Sequence, residues 1–121
     1  MACPLFLPSA PLGQLDDVYG GECASDPGAV VPVDVLRRCC NQGYARGACP
    51  RAAETEADAF RFLIKKAGDG TVEVAWSIER DHHPVAVGTS AFTESTARSN
   101  QPLERQALAC AMALLRPWTC I

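Results

Sequence analysis

Apolar and polar residues alternate most cleanly in the second half of the chain. In "AFRFLIKK", Phe60, Phe62 and Ile64 alternate with Arg61, Leu63 and Lys65, and "TVEVAWSIER" sets Val72, Val74, Trp76 and Ile78 against Thr71, Glu73, Ser77 and Glu79. A period of two predicts half-buried strands. Between them stands "AGDG", whose Asp-Gly pair tolerates the positive φ angles of a tight hairpin. "DHHP" at 81–84 turns the chain again, and "VAVGTSAFT" returns as a weaker third strand interrupted by Gly88.

A helical period follows the polar stretch "TESTARSN". Asn100 suits a cap, Pro102 a first turn and Glu104 the positive end of a helix, with Leu103, Ala107, Cys110, Ala111 and Leu114 forming one stripe. That stripe predicts a helix covering the sheet face that carries Phe60, Phe62, Val74 and Trp76.

Residues 1–58 lack such regularity and are rich in Cys, Pro, Gly and Ala. One short helix is expected: Pro32 and Asp34 start it, Val35, Leu36, Cys39 and Cys40 fall at helical spacings, and Gly43 ends it. The expected fold is therefore α+β and a single domain. An irregular cysteine-rich half with a short helix (1–58) leads into a three-stranded antiparallel meander covered by a C-terminal helix (59–121).

Composition narrows the function. With 48% hydrophobic and 21% charged residues, the 121-residue chain has ordinary globular content, and its clean apolar run at 107–115 is about half of the roughly 20 residues a membrane-spanning helix needs. The start, "MACPLFLPSAPLG", has no basic segment and is broken by prolines, so a cytoplasmic location is expected. In a reducing compartment the seven cysteines point to ligands or catalysts rather than structural disulfides.

The stretch "RRCCNQGYARGACPR", residues 37–51, holds three of those cysteines, four arginines and no acid. Cys110 lies in the helical stripe and reads as a small buried hydrophobe, and Cys120 reads as a bystander beside Trp118. The remaining thiols, Cys3, Cys23, Cys49 and one of Cys39 or Cys40, make a four-thiolate set. Adjacent helical residues point about 100° apart, so one of the Cys39 and Cys40 pair is expected to stand aside.

Four thiolates suit either a tetrahedral zinc or a [4Fe–4S] cluster. Zinc sites usually draw on C-x2-4-C knuckles, which this chain lacks, whereas separate loops can each bring one sulfur to a cluster. A cluster is the expected cofactor, with one zinc as the alternative. Arg37, Arg38, Arg46 and Arg51 surround two of the proposed ligands, where positive charge would stabilise an anionic cluster. A net charge of −3 argues against a nucleic-acid partner.

The string "CNQGYARGAC", downstream of an N-terminal Cys-Pro and followed by the turn "ERDHHPV", resembles one found in small bacterial cysteine-rich proteins of uncharacterised function. The resemblance implies no activity or substrate. It favours Cys40 over Cys39, because Cys40 begins the string.

No catalytic constellation is visible. His82 and His83 fall in a turn and read as a solvated tip, although a histidine ligand to a metal stays open, and no phosphate loop or carboxylate pair stands out. The expected function is a small cytoplasmic iron–sulfur protein for electron transfer or redox sensing, working with a redox or other protein partner. A zinc-stabilised, non-catalytic interaction module is the alternative.

Overall fold

In the computed structural model, residues 2–13 and 16–115 are described; the reading of Cys120 lies outside them. Strands β3 (Ala59–Gly68), β4 (Thr71–Arg80) and β5 (His83–Thr93) form an antiparallel sheet in the order β3-β4-β5. Both hairpins turn through two residues with positive φ. Asp69 and Gly70 (55° and 75°) join β3 to β4, and Asp81 and His82 (51° and 66°) join β4 to β5. That handedness matches the right-handed strand twist, which is why "GDGT" and "RDHH" make sharp hairpins.

β5 is as regular as its neighbours, because Gly88 serves packing rather than interrupting the strand. A Cβ there would meet the Trp76 ring at 2.2 Å. Trp76 lies flat over the missing side chain, and its indole N–H donates to Ser90 Oγ at 3.3 Å.

Helix α2 (Pro102–Leu115) covers this sheet, with Ala107, Leu108 and Ala111 packed on Val72, Val74 and Phe92. Phe62 and Ile64 border the contact, whereas Phe60 is buried outside it and Trp76 does not join it. The buried stripe is also rotated from the expected one: Leu108 is inside, and Leu114 is 46% exposed. Arg105 and Gln106 account for the rotation. Both are buried polar residues whose side-chain N–H groups donate to backbone carbonyls of the N-terminal segment, so α2 has two partners and not one.

That N-terminal segment is more ordered than its composition suggests. β1 (Phe6–Gly13) and β2 (Asp16–Cys23) form a second antiparallel hairpin, pairing Phe6 with Cys23. Its ladder shifts register between Pro8 and Ala10 and between Pro11 and Gly13, as expected where proline supplies no N–H. Gly21 is obligatory, since a Cβ would stand 2.1 Å from the Leu7 carbonyl oxygen. A helical turn α1 (Val33–Val35) runs directly into a π-helical turn, Leu36–Cys40, and a 3-10 turn spans Ala52–Glu54. No helix among the described residues is long and apolar enough to cross a membrane.

Candidate metal centre

Four backbone devices place the five cysteines of the N-terminal half. The Cys3 N–H donates to the Cys40 carbonyl at 3.0 Å, while the Cys3 carbonyl accepts from the Phe6 N–H at 3.0 Å and from Gln106 Nε2 at 2.8 Å. Cys23 closes β2 opposite Phe6 and is held by a turn in which the Asp26 N–H donates to its carbonyl. Cys49 ends a tight turn, its N–H reaching the Ala45 carbonyl at 2.7 Å.

Cys39 and Cys40 close the π turn, where the Asn41 N–H reaches back five residues to the Leu36 carbonyl at 3.0 Å. A widened turn of this kind departs from α-helical angular spacing. Both cysteines line the same cavity.

The cavity encloses about 40 Å3 and is lined by Cys3, Cys23, Cys39, Cys40 and Cys49, with Arg51 at its rim. All four sequence-predicted ligands and the alternate therefore share one wall system. Cys3 and Cys40 belong to the apolar cluster around Phe6 and Leu36, and Cys39 and Cys49 to the one around Ala45 and Ala52. The remaining lining, including Leu5, Val31 and Val35, is apolar. Among the described residues, no three His, Cys, Asp or Glu side chains are drawn up around a point where a metal ion could sit.

Burial sets the thiol electrostatics. It pushes Cys40 up to about 12, with the other four cysteines adding to the effect. Burial likewise raises Cys3 and Cys39. Cys23 goes the other way: burial opposes ionisation there too, but Ser25 and Arg51 together hold the thiol below its ordinary value. Its Sγ lies 3.1 Å from Ser25 Oγ.

Of the four arginines, Arg51 alone lines the cavity, and its Nη2 also meets Asp26 at 2.8 Å. Arg46 instead donates to Asp58 Oδ1 and the Thr55 carbonyl, both at 2.6 Å. Arg37 and Arg38 are exposed on the π turn.

The string between Cys40 and Cys49 reads as scaffolding for that cavity. Asn41 pins the π turn to β2, donating to the Tyr19 carbonyl at 3.0 Å and accepting from the Tyr19 N–H at 2.9 Å. Gly43 takes a φ of 73° against Ala59, where a Cβ would sit 2.6 Å from its neighbour's. The Tyr44 hydroxyl donates to Glu79 Oε1 at 2.8 Å and accepts from the His82 N–H at 3.0 Å.

Asp58 and Glu79 are buried and fully engaged. The Asp81 N–H, with help from Arg46, holds the Asp58 carboxyl below its usual range, and Arg61 and Tyr44 do the same for Glu79. Neither acid stood out in the sequence. A charged residue at the end of an alternating strand carries no mark of its burial, and the only hint was the tyrosine inside a cysteine-flanked string. His82 and His83 are exposed at the β4–β5 turn, and neither lines the cavity. Cys110 packs half-buried against the core under α2, as expected of a small hydrophobe.

No family model, curated protein or solved structure matches the chain.

Proposed function

We propose that the protein is a small iron–sulfur protein that holds a [4Fe–4S] cluster through Cys3, Cys23, Cys40 and Cys49 and serves electron transfer or redox sensing. The supporting observation is that these thiols, from four separate stretches of chain, line one apolar cavity. Bound there, such a cluster would supply one-electron chemistry at a potential tuned by burial and nearby donors. Cys39 is the alternate ligand. Arg51 provides the positive charge at the rim, and its side chain, 42% exposed, marks the side from which a redox partner can approach.

The cavity wall does the remaining work. The thiols stand around the cavity without closing on a point, so loading would draw the walls together and add local order, as is usual where a site forms together with its ligand. Leu5, Val31 and Val35 limit water at the sulfurs, and the Gln106 and Phe6 donors hold the Cys3 loop in place.

Anaerobic purification followed by iron, acid-labile sulfide and zinc analysis tests the reading, with absorption and EPR spectra of the same sample. Four iron and four sulfide per chain are expected of a [4Fe–4S] cluster. Zinc at about one per chain with no sulfide would replace the cluster with the structural zinc of an interaction module.

A further inference from the structure

At the β1–β2 hairpin two arginines converge on one residue, Ser9. Arg105, in the first turns of α2 and only 7% exposed, donates from Nε to the Pro8 carbonyl at 2.8 Å and from Nη2 to Ser9 Oγ at 3.3 Å. Arg98 donates from Nη2 to the Ser9 carbonyl at 3.1 Å. Every one of these acceptors is neutral. Among the described residues neither guanidinium has a carboxylate within ion-pair distance, whereas Arg46, Arg51 and Arg61 each have one.

A buried guanidinium bonded only to neutral oxygens is incompletely compensated, and a second cation beside it adds to the cost. Both arginines face an open hollow of about 560 Å3, walled on its other sides by Ser9, Glu22 and the 28–31 turn. Glu22 is the one acid on it among the described residues, and its Oε2 accepts from the Gly28 N–H at 2.9 Å. Burial lowers Arg105 most, followed by the charge of Arg98, and only then does Glu22 act in the opposite direction.

We infer that this hollow binds an oxyanion group, a carboxylate or a phosphate carried on a small molecule, through Arg98, Arg105 and the Ser9 hydroxyl. Guanidinium groups match both anions in geometry and charge. The hollow shares Val31 with the cysteine cavity, but no cysteine lines it.

The test is an NMR titration of the 15N-labelled full chain with sodium phosphate, sodium acetate and sodium chloride at matched ionic strength. Saturable shifts at Ser9, Gly28 and Val30 and at the Arg98 side-chain N–H are expected with phosphate or acetate but not with chloride. Whichever of the two saturates names the anion. Arg98→Gln should weaken binding by roughly tenfold, the loss of one charge-assisted contact, with the rest of the spectrum unchanged. Glu22→Gln should tighten it. Equal, non-saturating shifts with all three salts would overturn the inference, as would an Arg98→Gln protein that is less stable but binds as before, since the arginines would then only tie α2 to β1.

Discussion

Tyr44 and His82, 38 residues apart, lie ring on ring, with centroids 4.4 Å apart and planes 8° from parallel. The contact joins the cysteine-bearing string to the β4–β5 turn, so the "DHHP" turn is a docking point within the fold and not a bare solvated tip. Tyr44→Phe keeps the stack but removes one donor from buried Glu79 and the acceptor of the His82 N–H. It should lower the unfolding free energy, measured by urea denaturation. His82→Ala should cost about 0.5–1.5 kcal/mol, the worth of an aromatic pair, and leave metal content unchanged. Loss of metal in His82→Ala would make the histidine a ligand.

Stability should fall on acidification, through Asp58 and Glu79. Both carboxyls are held below their ordinary values in the folded chain. The unfolded chain therefore binds protons first as pH falls, and the stabilisation present above the ordinary carboxylate range is lost as pH drops through the lower folded values. Thermal melts between pH 7 and pH 3 should show a plateau, then a decline. Asp58→Asn should melt lower at pH 7 and decline less steeply in acid; an unchanged acid slope would show that Asp58 is not a source of it.

Serine substitution sorts the cysteines. Cys3→Ser, Cys23→Ser, Cys40→Ser and Cys49→Ser should each reduce iron and sulfide content, because serine is a poor cluster ligand. Cys39→Ser should retain the metal. The opposite result for Cys39 and Cys40 would exchange their roles without disturbing the cavity, since both line it. Cys110→Ser should keep full metal content and melt lower, by burying a hydroxyl in the helix contact.

Gln106 supports Cys3 from a distance in sequence. Its Nε2 donates to the Cys3 and Phe6 carbonyls at 2.8 and 2.9 Å, and its Oε1 is buried without a partner. Gln106→Ala should cost about 1–3 kcal/mol by leaving buried carbonyls short of a donor, and should speed metal loss to a chelator. Leu108→Ala, at the sheet contact of the same helix, controls for stability: it should destabilise by about 2–5 kcal/mol with less effect on metal retention. Equal chelator sensitivity in variants of equal stability would remove any special link between Gln106 and Cys3.

Much of the sheet was legible because alternation from Ala59 to Arg80 and the Asp-Gly turn act locally, each specifying the same hairpin. The β1–β2 hairpin was not. Pro8, Pro11, Gly20 and Gly21 are poor strand formers, and their pairing depends on bulges and on a close backbone approach that only Gly21 permits. Arg105 and Gln106 hid the second face of α2 in the same way, since polar residues in a helix read as exposed until their backbone acceptors are known. For the candidate centre, residue chemistry selected the cysteines that line one cavity. The role of Arg46 and the shared cavity of Cys39 and Cys40 depend on Asp58 and on the π turn, which no spacing in the chain announces.

The bond from Gln106 to the Cys3 carbonyl spans 103 positions. Cys3 precedes Gln106 in the order of synthesis, so the Cys3 loop lacks this support until α2 has been made. Until α2 docks, the Cys3 carbonyl is left with the Phe6 N–H as its donor. Any group held by Cys3 would therefore gain this support only once α2 is docked.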